Sequence, residues 1–182
     1  MPNHTKNKSK EHRTLVLDEG TVFSVRTIRP GDVSALQRFF SRCSERSIHL
    51  RFSGPMEELT DKQAEYFANI DGVDRFALVA LDPDEPDEVI AVARFDRVPG
   101  SDQAEYAALV EDRWQGRGLG IGLTQQLIDD ARDKGVYHFY ALVTRRNASM
   151  MRLLRGLGLT ERERREGNAK YVEVELQELE QN

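Results

Sequence analysis

The stretch Val110-Glu-Asp-Arg-Trp-Gln115-Gly-Arg-Gly-Leu-Gly120 joins two segments of different period. Before it, Ala104 to Val110 is short and apolar enough for a strand. After it, Gly116 to Lys134 carries Leu119, Leu123, Leu127 and Ala131 in a row four residues apart, as one buried helix stripe does. Glycines between a strand and a helix let the backbone adopt positive φ and approach a ligand closely. The helix start then directs unpaired N–H groups and a partial positive charge outward, so a phosphate is the expected guest. Position 121 is Ile and position 123 is Leu, so there is no G-x-G-x-x-G, and no G-x-x-x-x-G-K-[ST] occurs either. Dinucleotide and nucleoside-triphosphate folds are therefore disfavoured.

Working outward, Thr21 to Arg29 spaces Val22, Val25 and Ile28 among polar residues and stops at Pro30-Gly31, the punctuation of a strand closed by a turn. Asp32 is placed to cap a helix bearing Val33, Leu36, Phe39 and Phe40. Ser44 to Pro55 reads as a short helix running into a loop, and Thr60 starts a further helix with Ala64, Phe67 and Ala68 inward. Phe76 to Leu81 and Val89 to Phe95 are strand-length apolar runs flanking Asp82-Pro-Asp-Glu-Pro-Asp-Glu88, which predicts an antiparallel pair. Tyr137 to Thr144 reads as a strand, and Asn147 to Leu157 as a helix closed by Gly158. Leu159 to Arg165 and Tyr171 to Leu176 are strands joined through Gly167-Asn168. The predicted order is β-α-α-β-β-β-α-β-α-β-β, a mixed sheet with helices packed on it. Residues 1 to 20 are polar and aperiodic and read as a flexible arm, leaving 21 to 182 as a single domain.

The 26 basic and 31 acidic residues give a net charge of −5, which argues against general nucleic-acid binding. The charge is uneven: Arg113 through Arg165 holds eleven basic and five acidic residues, a local +6, so the remainder sums to −11. A basic segment in an acidic chain suits an anionic ligand, and solvated helix faces are the plain alternative. No apolar run approaches the ~18 residues of a membrane span, and no apolar stretch follows the basic N-terminus to make a secretory signal. Cys43 is the only cysteine, which excludes an internal disulfide and fits a reducing, cytoplasmic compartment. His49 and His138 lack partners at ligand spacing, and no metal is expected.

The run from Val110 to Gly120 is similar to the acetyl-CoA pyrophosphate loop of the GNAT N-acetyltransferase superfamily, [QR]-x-x-G-x-[GA] after a strand, through Gln115, Gly118 and Gly120. Asn147-Ala-Ser-Met-Met-Arg-Leu-Leu-Arg-Gly-Leu-Gly-Leu159 resembles that superfamily's later helix through Asn147, Leu153 and Gly158. The resemblance covers about residues 22 to 176. It is nearest to the catalytic domain of bacterial Pat-type protein lysine acetyltransferases, through Ile28-Arg-Pro-Gly-Asp32, Leu50-Arg-Phe52, Phe76-Ala-Leu-Val-Ala80, Ala93-Arg94 and Ala104-Glu-Tyr-Ala107. It implies an α/β (α+β) GNAT-type fold, with a mixed, mostly antiparallel sheet and helices on both faces. Many members of that group carry a fused nucleotide-binding regulatory domain, for which these residues leave no room. The tyrosine usual in the later helix, a candidate general acid in the superfamily, is Leu154 here.

The resemblance also assigns chemistry. An amine must be neutral to attack a thioester, and a lysine with a reference pKa of ~10.4 needs a base at neutral pH. Glu105 is that base by position, on the strand feeding the loop, where burial would raise its pKa. Backbone groups at Leu109 and Val110 would receive the developing oxyanion. Gln115, Gly116, Arg117, Gly118, Leu119, Gly120 and Ile121 would hold the pyrophosphate of acetyl-CoA, and Asn147 the pantetheine arm. Arg113, Arg117, Arg152 and Arg155 flank the two motifs and are candidates for the phosphates, Arg152 together with Arg117. Tyr140 and Tyr171 are available as proton donors, though strand aromatics more often belong to a core. The acceptor side is expected on the first two helices, Arg51 to Pro55, and Asp71 to Arg75, with the acidic turn at 82 to 88 attracting a cation. A protein lysine is the favoured acceptor. A small-molecule amine, a non-catalytic acyl-CoA sensor, and a homodimer are left open by the sequence.

Overall fold

The structure is a computed structural model, described over residues 12–159 and 161–176. The strands are β1 (Arg13–Val16), β2 (Val22–Thr27), β3 (Arg75–Leu81), β4 (Val89–Arg97), β5 (Gln103–Val110), β6 (His138–Thr144), β7 (Glu161–Glu166) and β8 (Ala169–Glu175). The helices are α1 (Val33–Arg42), α2 (Glu45–Phe52), α3 (Asp61–Ala68), α4 (Leu119–Asp133) and α5 (Ala148–Gly156). The strands form one sheet in the order β1-β2-β3-β4-β5-β6-β8-β7. Every neighbouring pair is antiparallel except β5 and β6, which α4 connects as a parallel crossover.

Strand β3 is apolar without alternation because both of its faces are covered. Phe76, Leu78 and Ala80 join the core beneath α4 and α5, whereas Ala77, Val79 and Leu81 join the core beneath α1, α2 and α3. The predicted row Leu119, Leu123, Leu127 and Ala131 is wholly buried against the first of these. On β5 the same alternation sends Ala104, Tyr106, Ala108 and Val110 toward α4 and α5, and Leu109 toward α1 to α3. Glu105 and Ala107 share the face of Leu109 by the two-residue period.

Two elements depart from the predicted order. Arg13–Val16, inside the residues read as an arm, is a strand paired with β2 from Arg13↔Val25 to Val16↔Val22. Its Leu15 is 6% exposed and lies against α4, where a Cβ on Gly122 would meet the Leu15 side chain at 2.7 Å. Arg13 pairs with buried Asp130 at 2.9 Å, and Gln126 Nε2 donates to the Thr14 carbonyl at 3.0 Å. A four-residue edge strand shows too little alternation to be read, and the helix its side chains pack on lies more than a hundred residues away. The second departure is α2, the short helix read within Ser44 to Pro55 but left out of the predicted order; it is capped by Ser44, whose hydroxyl accepts from Ser47 N. Asp32 does precede α1, but its carboxylate accepts from both Arg26 guanidinium nitrogens at 2.8 Å and from Arg29 N rather than capping that helix.

Candidate functional site

Strands β5 and β6 are joined in register only at Gln103↔His138, Ala104↔Phe139 and Glu105↔Tyr140. Beyond that point β5 continues to Val110 along β4, and β6 continues to Thr144 along β8, without pairing to each other. The sheet is therefore split, and Glu105 sits where the split begins. Because the two strands are parallel, their C-terminal ends form one mouth, bounded by the glycine loop after β5 and the start of α5 after β6.

The unbroken β4–β5 register, with Val98 N donating to Gln103 O and Glu111 N to Ile90 O, fixes which backbone groups face the split. Residues 103, 105, 107 and 109 occupy the hydrogen-bonded pairs with β4, so the N–H groups of Ala108 and Val110 point to the free edge. Of the two positions expected to meet the oxyanion, Val110 faces the split, and Leu109 is turned to β4.

The loop that follows is pinned from several sides. Asp112 accepts from Ser44 N at 2.8 Å, Ser44 Oγ at 2.6 Å and Ser47 Oγ at 2.9 Å. Burial pushes its carboxyl up, and these hydrogen bonds outweigh that, so its pKa lies below the ordinary value. Glu111 is buried, with Arg42 Nε at 3.0 Å. Trp114 packs edge-on against Phe23 with centroids 5.1 Å apart, and Arg117 lies over its ring at 4.4 Å. Gln115 Nε2 donates to Val110 O at 2.8 Å and Ser47 Oγ at 3.0 Å, and its own N–H donates to Asp112 O. Gln115 thus closes the loop, and the outward N–H groups begin at Gly116.

The four glycines divide by cause. Gly116 and Gly118 have φ of +71° and +92°, the left-handed region that side chains resist, and both are exposed. Gly120 and Gly122 are helical and are small for packing, since a Cβ would meet Leu153 at 3.1 Å and Leu15 at 2.7 Å respectively. The first α4 hydrogen bond runs from Gly122 N to Gly118 O. The N–H groups of Leu119, Gly120 and Ile121 consequently lack intrahelical acceptors and extend the donor series from Gly116. These donors at an α4 N-terminus form a nest suited to a pyrophosphate.

The basic residues sort differently from expectation. Arg113 is committed to Asp82 and Glu111, Arg155 to Glu161 and Glu163, and Arg117 to Glu19. Arg152 donates to Ser149 Oγ at 3.3 Å and, among the described residues, makes no ion pair. Among the described residues Arg145 and Arg146 are exposed without an ion pair, immediately before Asn147 at the mouth. The sequence reading passed over them, and their adjacency to Asn147 was the available signal. Asn147 is buried, and its Oδ1 accepts from Met150 N at 3.0 Å to cap α5. Its amide hydrogens remain for a ligand.

Glu105 is exposed, so the burial expected of it is absent. Across the sheet it neighbours Asp96 on β4 and Tyr140 on β6. Tyr140 stacks on Tyr171 with centroids 5.4 Å apart, both half-buried on the sheet face opposite α4 and α5 rather than in a core. Burial first, and the Glu105 charge second, raise the Tyr140 pKa above its ordinary value. Leu154 is 2% exposed and belongs to the core. The position of the usual tyrosine is thus filled by packing.

On the acceptor side, Arg75 pairs with Asp96 in the register that also carries Glu105, so the Asp71 to Arg75 segment does lie at the Glu105 end. The acidic turn does not. It leads into Val89, beside the Ala91↔Val110 end of the ladder, about 17 Å from Glu105 at ~3.4 Å per residue. Its Asp82 is taken by Arg113, and its Glu88 by Arg38 and Arg42. Between α1 to α3 and the sheet lies an apolar pocket lined by Phe40, Phe52, Ala107 and Leu109 with Arg51 and Arg94.

Comparison with known proteins agrees with this geometry. The Acetyltransferase (GNAT) family pattern matches residues 36–159. An acetyltransferase of Pseudomonas aeruginosa is 29% identical over 149 residues, 81% of this chain and 80% of that protein. Acetyltransferase Pat of Mycolicibacterium smegmatis is 35% identical over 144 residues, 76% of this chain, which spans 41% of that longer protein. The crystal structure of the GNAT domain of S. lividans PAT superposes with a TM-score of 0.84 at 30% identity, covering 96% of this chain and 99% of that one. With its split sheet, glycine-lined α4 entry and these relatives, the chain belongs to the GNAT family and is an acetyl-CoA-dependent acetyltransferase.

Proposed function

We propose that the chain transfers the acetyl group of acetyl-CoA to a lysine side chain of a protein, with Glu105 as the general base. The observation that carries this reading is the end of β5–β6 pairing at Glu105↔Tyr140, which puts a carboxylate at the head of an open backbone edge. In this reading the pantetheine arm lies along the split as a strand would. Val110 N–H donates to the thioester carbonyl, and the N–H groups from Gly116 to Ile121 hold the pyrophosphate. Arg145, Arg146 and Arg152 supply cations for the remaining phosphate, and the Asn147 amide reaches the arm. The lysine nitrogen attacks the carbonyl carbon, its proton passes to Glu105 directly or through a water, and the C–S bond breaks. A thiolate with a pKa near ~8.5 leaves without strong acid assistance, which suits the burial of Leu154. Tyr140 is the register partner of Glu105 on β6.

Two features support a protein acceptor. Glu105 lies on an exposed sheet face that continues through Tyr140, Leu142 and Tyr171, with Leu142 54% exposed, so a lysine on a protein surface can reach it. The Pat relatives add a family argument. Incubation with labelled acetyl-CoA and either cell lysate protein or a panel of polyamines and aminoglycosides tests the assignment. Label on lysines of protein is the expected result. Label confined to small molecules would remove the protein-lysine assignment.

A further inference from the structure

The pocket between α1 to α3 and the sheet has a composition that acetyl transfer to a lysine does not explain. Its walls are apolar, yet two guanidinium groups enter it. The Arg94 side chain is 4% exposed and lies over the Phe67 ring at 4.8 Å. Arg51 lies over Phe52 at 4.7 Å, and among the described residues it makes no hydrogen bond or ion pair. Burial first and Arg94 second push its guanidinium down to about 10, the response of a cation held near another cation in an apolar setting.

The surrounding carboxylates do not balance these charges. Asp96 is shared between Arg75 Nε at 2.9 Å and Arg94 Nε at 3.2 Å. Glu105 acts on Arg51 through space without touching it. Three arginines against Asp96 and Glu105 leave one positive charge over, and it resides on Arg51. Ala107 and Leu109, which line the pocket, follow Glu105 on the same face of β5. The pocket therefore opens beside the carbon that would be attacked. A cationic lysine ammonium is a poor occupant for it. A short run of methylenes ending in a carboxylate matches both the walls and the guanidinium groups.

We propose that Arg51 and Arg94 bind a carboxylate carried into this pocket by one of the two reactants. The inference rests on the acyltransferase reading of the same site. The carboxylate has two sources: the far end of a dicarboxylic acyl thioester, or an acidic residue flanking the acceptor lysine. With the first source, the amine nitrogen bonds to the thioester carbon and its proton goes to Glu105. The C–S bond breaks, coenzyme A leaves as the thiol after protonation, and the product amide keeps a free carboxylate.

The test uses the whole chain. Binding of acetyl-CoA and succinyl-CoA is compared by titration calorimetry, and thiol release from each is followed with a lysine peptide. In a second arm, acetyl-CoA is paired with lysine peptides flanked by Glu or by Gln. The carboxylate-bearing reactant should be preferred about tenfold or more in Kd or KM in one arm. Arg51→Gln should bring that preference close to one, with Arg51→Lys retaining part of it. Equal use in both arms, or a preference that survives Arg51→Gln, overturns the proposal. If acetyl-CoA itself is bound and transferred in that case, the acyltransferase reading stands. A chain that binds no acyl-CoA takes down both.

Discussion

At the residue scale, Glu105 and Gly118 make separable demands. Glu105→Gln keeps the size of the side chain and removes its basicity. The expected result is a fall in kcat on the order of 10² or more with acetyl-CoA affinity retained, partly recovered at high pH where more of the amine is already neutral. A full rate at neutral pH would show that another group removes the proton. Gly118, with φ of +92°, has open space around a hypothetical Cβ, with Leu17 no nearer than 3.9 Å. Gly118→Glu therefore acts through backbone strain and a like charge at the nest rather than through core disruption. Acetyl-CoA affinity should drop sharply by calorimetry while circular dichroism stays native. Unchanged affinity would take the loop out of the site.

At the scale of elements, the contact between β1 and α4 is made possible by one missing side chain. Leu15 occupies the space a Cβ on Gly122 would need, so the edge strand and the helix that opens the proposed coenzyme site are packed on each other. Gly122→Leu would overfill that contact, at a cost of about 1–3 kcal/mol. For a chain of this size a melting temperature lower by roughly 2–12 °C is expected. Hydrogen exchange should locate the loosening at β1, with β3 and β4 protected as before, and an unchanged profile at β1 would contradict the packing argument. The α2 start and the loop after β5 are a second coupled pair, since Asp112 serves both.

At the scale of the molecule, hydrogen-bonded carboxylates tie separate parts of the chain together. Asp32 joins β2 to the turn before α1, Asp82 joins the β3–β4 turn to the loop after β5, and Asp112 joins that loop to α2. Burial raises the pKa of each. It is outweighed by Arg26 and the Arg29 amide at Asp32, by the Asp84 amide and Arg113 at Asp82, and by Ser44 and Ser47 at Asp112. All three therefore lie below the ordinary carboxylate value when folded. The unfolded chain takes up protons first as the pH falls through about 4, so their stabilisation is complete above that range and is lost on further acidification. The melting temperature should be nearly flat from pH 7 to 5 and fall below pH 4, with a smaller fall in Asp112→Asn. An equal acid loss in that variant would exclude Asp112 from the effect.

Local periodicity and two short motifs were enough to determine the strands β2 to β8, the helices α1, α3, α4 and α5, and the glycine loop. Each of these is declared by neighbours within one or two turns of chain: the row from Leu119 to Ala131, the two-sided run from Phe76 to Leu81, the cap at Thr60. Tertiary structure alone decided what depends on distant partners. Strand β1 pairs with its neighbour β2, and it is anchored to α4 because Leu15 meets Gly122 and Arg13 meets Asp130. The division of the four glycines into two for conformation and two for packing, and the commitment of Arg113 and Arg155 to carboxylates, are likewise invisible in one dimension. The split between β5 and β6 is the extreme case. A strand's own residues set which side chains share a face, but whether its edge is paired or free is set by the neighbouring strand, and that neighbour is placed by the whole sheet.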